Sequence, residues 1–393
     1  MDDKRAWAEI DISRLINNVR ILKRNIPKHT KLFASVKADA YGHGAIEASK
    51  ALIENGADYL GVSISEEGIE LRNRGIETPI LVFSYTPTPL LPKSIENGLT
   101  QSIFSAESYY ELAKVLQETQ IKTGRRAEVH IKIDTGMGRL GFFPNPDTAD
   151  MICKIMQNPA IDVTGIYTHY ATSDEPNTSY MHEQYSQFEY MLRLLKDRKV
   201  PVERWIKHAG NSGFMGQSLF QSFKSNNNKS DMFMDMLRFG IMLYGLPPAK
   251  NMTSVCKELG LKPVMKLMAR ISMIKTVPEG TGISYGLTFR CKRETIVATL
   301  PIGYADGYNR ALSNKGVVII RGHKCPIIGN ICMDQCMVDI TDIPNASSIK
   351  PGETACLFGE PGLGADDLAE QIGTIAYEVI CVIGKRVPRI FVN

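Results

Sequence analysis

Apolar positions along the chain fall into two rhythms. From Lys31 onward, short apolar runs alternate with polar loops and amphipathic stretches. The runs at 31–37, 59–64, 79–85, 101–104, 127–135, 163–169, 205–209 and 236–244 are bounded by turn residues, which predicts buried strands. Between them, 45–54, 66–73, 106–118 and 182–196 read as amphipathic helices. About eight such units in succession predict a (β/α)8 barrel of the TIM type, whose loops at the strand carboxyl ends hold the chemistry; a doubly wound sheet is the alternative. After Gly245 the punctuation changes to Gly, Pro and short β-branched runs at 296–300, 316–320 and 355–358, predicting a mostly β second domain. The boundary is expected near Leu246-Pro247-Pro248, giving a barrel over 1–246 and the second domain over 247–393. A strand-like run at 6–12 precedes the barrel and can pair with the second domain, so residues 1–13 are expected to associate with it. The polar stretch 221–230, with Asn226-Asn227-Asn228, reads as a surface excursion.

Composition narrows the function classes. At 393 residues and 44% apolar content the chain can bury sizeable cores. Its 46 Lys and Arg are mixed with 42 Asp and Glu, for a net charge of +4 and no basic block, which argues against nucleic acid and membrane surfaces as partners. The charged start, Met1-Asp2-Asp3-Lys4-Arg5, leads into no signal-like apolar run, and no stretch approaches the roughly 20 residues that span a bilayer, so a cytoplasmic protein is expected. The eight cysteines are scattered without a Cys-x-x-Cys pair, the pattern of reduced thiols rather than of disulfides or a metal site.

Candidate chemistry gathers at strand ends. Lys37 closes the run 31–37 before a glycine-punctuated loop. Burial there lowers a lysine's pKa and makes it a nucleophile or imine former, whereas a lysine snorkelling out of the sheet is the plain alternative. The run 127–135 alternates Val129, Ile131 and Ile133 with His130, Lys132 and Asp134, so the apolar set faces the helices and Lys132 faces the lumen. An ammonium in that position must be paired, neutral or modified, and pairing with an acid is the plain reading. His169 ends the next strand, either as a satisfied polar group or as a catalyst. Asn211 and Ser212 stand at a strand-to-helix turn, where they cap the helix or bind an anion. In Leu237-Arg238-Phe239-Gly240-Ile241 the period puts Arg238 on the lumen face, and Gly240 admits a ligand close to the backbone. Tyr285, within Gly282-Ile283-Ser284-Tyr285-Gly286, reads on its own as a loop tyrosine.

The block Val36-Lys37-Ala38-Asp39-Ala40-Tyr41-Gly42-His43-Gly44 resembles the pyridoxal-phosphate lysine motif of the alanine racemase family, and the resemblance runs from about Trp7 to the carboxyl end. It implies a PLP-dependent amino-acid racemase, alanine being the usual substrate and D-alanine for peptidoglycan the product. Lys37 is then the cofactor lysine. Lys132-Ile133-Asp134-Thr135-Gly136-Met137-Gly138-Arg139 is similar to the family segment in which the lysine is often carbamylated and the arginine touches cofactor and substrate carboxylate. Arg238 becomes the pyridine partner with His169 beside it. Asn211, Ser212, Gly240, Ile241, Tyr41 and Tyr377 belong around the phosphate. In the second domain Tyr285 is implied as the second catalytic base, Tyr304 as a residue narrowing the entrance and Met333 as a backbone contact of the substrate carboxylate, with Asp334 in support. These second-domain residues are implied to come from the partner subunit of a homodimer.

Two features depart from the family pattern. The connection from Ser212 to Arg238 is longer, which bears on substrate choice, and Asn330 stands where an arginine is usual. The rival readings are a PLP racemase of another amino acid such as serine, a PLP-barrel decarboxylase of basic amino acids, and a non-catalytic PLP carrier. The decarboxylases use adjacent glycines, absent here, and carriers end after the barrel, whereas the second domain over 247–393 follows it.

Overall fold

The computed structural model describes residues 3–118, 126–224 and 231–393. They form two compact units: Leu15–Ala40 with Ala45–Leu261, and Met1–Arg14 with Tyr41–Gly44 and Lys262–Asn393.

The first strand, β1 (Ala6–Asp11), belongs to the second of these units. The other unit is built on β2 (Lys31–Ser35), β3 (Tyr59–Val62), β4 (Ile80–Val82), β5 (Thr100–Ile103), β6 (Ala127–Lys132), β7 (Ile161–Tyr167), β8 (Ile206–His208) and β9 (Met236–Phe239). They lie parallel in the order β8-β7-β6-β5-β4-β3-β2-β9. At the seam Asp235 N donates to Lys207 O (3.0 Å) and Arg238 N to Gly210 O (3.2 Å), so the ring is nearly closed. This is the expected (β/α)8 barrel.

The alternation read in the sequence explains its packing. Val129, Ile131 and Ile133 are fully buried in an outer layer with Tyr109, Leu112, Ile152 and Phe188 from the surrounding helices. Each such aliphatic side chain contributes about 1.5–3 kcal/mol by leaving water. On the inner side Phe33, Tyr59, Leu81, Tyr167 and Met236 form a separate apolar layer, and His130 packs edge-on to Tyr167. Helices Ala45–Glu54, Ser65–Asn73, Ala106–Glu118 and Ser179–Asp197 fall where the helical spacing placed them. The stretch 221–230 lies mostly outside the described residues; its first part ends the helix Ser212–Lys224.

Two strands stop earlier than the apolar runs suggest. The run 236–244 splits at Gly240 (φ −122°, ψ −103°), after which Ile241–Tyr244 is a 3-10 turn, because Gly240 N donates to Ser212 Oγ instead of extending the sheet ladder. The run 31–37 ends as a strand at Ser35. Beyond Leu246 the chain stays with the barrel through the short helix Thr253–Glu258. A Cβ at Gly216 would come within 2.5 Å of Met252 Sδ, so the barrel unit extends to Leu261 rather than ending at the Pro247-Pro248 punctuation.

The second unit is mostly β. Its strands are β10 (Met265–Arg270), β11 (Met273–Val277), β12 (Gly282–Ile283), β13 (Phe289–Arg290), β14 (Thr295–Leu300), β15 (Val317–Ile320), β16 (His323–Pro326), β17 (Cys336–Asp339), β18 (Thr354–Phe358) and β19 (Arg389–Val392). A six-stranded sheet runs β16-β15-β18-β10-β1-β19, beside a three-stranded sheet β11-β14-β17 and the β12-β13 hairpin. β1 pairs antiparallel with β10 and parallel with β19. Among the described residues no helix is long and apolar enough to cross a membrane.

Candidate functional site

The exit from β2 has the longest run of consecutive non-glycine residues at positive φ among the described residues. Val36 N still donates to Gly61 O (2.8 Å), and then Ala38, Asp39, Ala40 and Tyr41 take φ of 52 to 54° before Gly42 at 81°. With Ala40 N bonded to Val36 O (2.8 Å), this is one left-handed helical turn. Each non-glycine residue there costs about 1–2 kcal/mol. Two carboxylates hold the turn in place. Glu67 accepts from Ala38 N (2.6 Å) and Ser63 N (2.7 Å), and Asp39 accepts from Ala45 N (2.7 Å). Strain of this kind persists where surroundings fix it, commonly at functional sites. Lys37 sits half-buried at its start, and Tyr244 Oη bonds Ser35 O (2.9 Å) just before it.

At the end of β6, Lys132 is buried and its Nζ has no hydrogen-bond partner among the described residues. It lies 4.8 Å from the Tyr167 ring centre. Burial, then the charges of Arg238 and Arg139, push its ammonium well below the usual range, with Asp134 opposing. No acid is hydrogen-bonded to it, because Asp134 Oδ1 is spent on the N–H groups of Gly136, Met137 and Gly138 (2.9–3.1 Å). That cap folds the loop carrying Arg139, whose side chain is exposed.

The next three strands supply the floor. Arg238 on β9 is 5% exposed and donates to Thr168 O (2.8 Å), Ala209 O (2.7 Å), His208 Nδ1 (2.6 Å) and His169 Nδ1 (3.1 Å). Burial brings its guanidinium down to about 10, so it stays a cation at neutral pH. His169 is held neutral, well below its usual range, first by burial and then by Arg238, Lys132, Arg139 and Lys37. Gln184, from the helix Ser179–Asp197, fixes this region by donating to His169 O (3.0 Å) and accepting from Ala171 N (2.8 Å).

After β8, Asn211 and Ser212 divide two tasks. Asn211 Oδ1 accepts from Phe214 N (3.0 Å) and Ser173 Oγ (2.7 Å), which makes it the helix cap. Ser212 Oγ instead accepts from Gly240 N (2.9 Å), bringing the glycine backbone and the following Ile241 to the first turn of the helix Ser212–Lys224. Such a helix start favours an anion.

The second unit gathers its own candidates. Tyr285 is 76% exposed and follows Ser284, which takes φ 64°. Ser284 Oγ donates to Asn330 O (2.5 Å) and Asn330 Nδ2 donates to Tyr285 O (2.8 Å). Tyr304 N and Ala305 N donate to Cys332 O (3.1 Å) and Met333 O (3.0 Å), so Tyr304, Met333 and Tyr285 share one loop cluster. Arg386 joins Asp334 (2.7 Å) to the buried Asp306 (3.5 Å). Tyr41 and Tyr377 also lie in this unit, ring centres 6.1 Å apart. His208, Thr168 and Gln184 are polar contacts that the sequence reading did not single out. His208 lies inside the run 205–209, where lumen-side alternation is the only signal.

Comparison with known proteins follows the same two units. The model of the alanine racemase N-terminal domain matches residues 10–248, and that of the C-terminal domain matches 264–391. The chain belongs to the alanine racemase family. It is 41% identical over 390 residues to alanine racemase 1 of Clostridium acetobutylicum, covering 98% of this chain and 95% of that one. The alanine racemase structure from Clostridium difficile superposes with a TM-score of 0.90 at 38% identity, covering 99% and 96%. The structure from Bacillus anthracis with bound L-Ala-P gives 0.87 at 33% identity, covering 99% and 95%. Alanine racemases are PLP-dependent isomerases, so the chain is a racemase by family.

Proposed function

We propose that the chain interconverts L- and D-alanine in the cytoplasm by a two-base mechanism, as a PLP-dependent homodimer supplying D-alanine for peptidoglycan. The observation that carries this reading is the set of basic groups at the barrel's strand ends: Lys37 at the left-handed turn after β2, Lys132 with no hydrogen-bond partner among the described residues at the end of β6, and Arg238 on β9 bonded to His169 (3.1 Å). That donor set suits PLP, an aldehyde with a dianionic phosphate and a pyridine nitrogen. In this reading the barrel unit, Leu15–Ala40 with Ala45–Leu261, carries the cofactor lysine, and the loop cluster of the second unit serves the partner's site.

When bound, the cofactor delocalises the electron pair left as the α-proton departs. Arg238 places an N–H donor, never an acid proton, at the ring nitrogen, with His169 beside it. Ser212 through its hydroxyl hydrogen and Ile241 through its backbone N–H bind phosphate at a helix start, Gly240 brings its backbone alongside by its bond to Ser212 Oγ, Asn211 holds the turn, and Tyr41 and Tyr377 are the phenols that the family resemblance adds. Arg139 and the backbone of Met333 of the partner subunit hold the substrate carboxylate. Tyr304 of the partner subunit narrows the entrance, and Asp334 of the partner subunit supports it.

Lys132, whose ammonium form is disfavoured first by burial and then by Arg238 and Arg139, is the amine that takes up carbon dioxide. A C–N bond forms, one proton leaves, and the resulting carbamate anion holds Arg139 in place. Racemisation requires a proton to leave one face of the α-carbon and return on the other. Lys37 takes and gives it on the D face, and Tyr285 of the partner subunit does so on the L face.

Deuterium exchange tests the assignment. The equilibrium constant between mirror images is unity, which forces equal kcat/KM in both directions, so asymmetry is sought in exchange rather than in rate. In heavy water Tyr285→Phe should exchange the α-proton of D-alanine without inversion and leave L-alanine unlabelled. Equal labelling of both enantiomers would reject the two-base assignment.

A further inference from the structure

Two buried histidines inside the barrel take no part in the chemistry above. His208 on β8 accepts from Arg238 Nη1 at its Nδ1 (2.6 Å), and its Nε2 lies 3.0 Å from Nδ1 of His130 on β6. A guanidinium only donates. His208 therefore carries its proton on Nε2 and gives it to His130 Nδ1, and His130 carries its own on Nε2. The arginine dictates both tautomers.

His130 Nε2 is buried and meets no hydrogen-bond partner among the described residues, a cost of about 1–3 kcal/mol. The barrel is nevertheless shaped to hold this ring. β6 shifts register between Val129 and His130, and the residue facing His130 is Gly165, where a Cβ would come within 2.6 Å of the imidazole. Tyr167 stacks flat on His208, ring centres 4.7 Å apart at 2°. Every acceptor on Arg238 is uncharged: Thr168 O, Ala209 O and the two imidazole nitrogens of His169 and His208. The basic groups acting on the histidine pair are Arg238 and Lys132, with Tyr59 and Tyr167 as the other titratable neighbours.

We propose that His208 and His130 are positioning residues that fix the Arg238 guanidinium through a neutral, one-directional hydrogen-bond chain and so leave its positive charge uncompensated. The consequence rests on the racemase reading, in which Arg238 faces the pyridine nitrogen. A full cation there keeps that nitrogen unprotonated, which weakens the ring as an electron sink and suppresses loss of the amino group to the cofactor. In that side reaction alanine is oxidised by two electrons to pyruvate, the cofactor is reduced to its amine form, the nitrogen passes between them and water supplies the keto oxygen.

His208→Leu removes the acceptor and should raise pyruvate formed per racemisation event about tenfold, the effect of one pKa unit at the ring nitrogen. His208→Gln, whose amide oxygen can accept from Arg238 while its NH2 donates to His130, should stay near wild type. Nitrogen-15 spectra of the wild-type protein should show both histidines neutral with Nδ1 unprotonated at pH 7. An unchanged pyruvate ratio in a folded Leu variant would overturn the proposal, as would a protonated His208 Nδ1, which decides the matter if that variant fails to fold. Wild-type protein that does not racemise but shows both expected tautomers would remove the racemase reading and leave the hold on Arg238 intact.

Discussion

Arg238 is 5% exposed and Tyr285 is 76% exposed, and the difference extends to the regions around them. The barrel cluster is finished within one unit. Its cations are aimed by strand ends, its loops are capped by Asp134 and Asn211, and the acceptors on Arg238 are supplied by neighbouring backbone and imidazoles. The loop cluster of the second unit is held just as firmly from behind, by Ser284, Asn330 and the bonds from Tyr304 and Ala305, but Tyr285, Tyr304 and Met333 present exposed side chains. Buried polar groups declare their function by the partners they keep. Exposed ones leave their partner to be identified by experiment, and the proposed reading assigns that place to a second copy of the chain.

The comparison can be broken most severely at Lys37. Lys37→Ala should reduce racemisation more than about 10³-fold, measured as D-alanine formed from L-alanine, since both a covalent attachment and a proton carrier are lost. Tyr285→Phe should cost about 10²–10⁴-fold in kcat, the range of one general acid-base group, with little change in folding because the side chain is exposed. A loss below threefold would mean the loop cluster is not catalytic.

Acid should separate the regions next. Burial drives His130 down to about 3, and His208 and His169 fall well below their usual range. Their neutral forms stabilise the fold above the unfolded histidine pKa of about 6.5, and this stability is lost as pH falls through that value because the unfolded chain takes up the proton. His130 alone should cost about 2 kcal/mol between pH 7 and pH 5, with His208 and His169 adding in the same direction. Urea unfolding monitored at both pH values checks this, and an unchanged midpoint would contradict the buried neutral assignments. The smallest effect is expected at Asn330. Asn330→Ala removes one partly exposed bond to Tyr285 O and should cost about 0.5–1.5 kcal/mol, seen as a modest fall in kcat with the barrel's stability unchanged.

Much of the barrel was legible because its pattern is repeated and local. In β6 each residue's side follows from a period of two, so the outward Val129, Ile131 and Ile133 and the inward Lys132 were readable directly. The left-handed turn after Lys37 was not. Ala38-Asp39-Ala40-Tyr41 carries no glycine to signal positive φ, and the carboxylate that braces it, Glu67, comes from a different helix. Membership of Tyr41–Gly44 in the second unit was equally hidden. It depends on Arg389 reaching Gly42 O (2.8 Å) across most of the chain. The split of the last barrel run at Gly240 rests on a single bond to Ser212, which no periodicity encodes. Family likeness supplied roles for Tyr285 and Met333 that loop composition alone could not.

Mixing two disabled variants brings the regions to a common test. In a homodimer with shared sites, Lys37→Ala chains still offer Tyr285 and Tyr285→Phe chains still offer Lys37. After dissociation and random reassociation, about half the dimers are mixed and each holds one intact site of two, so activity should return to roughly a quarter of wild type. Activity no greater than the sum of the separate variants, with mixed dimers present, would show that lysine and phenol do not meet across a subunit interface.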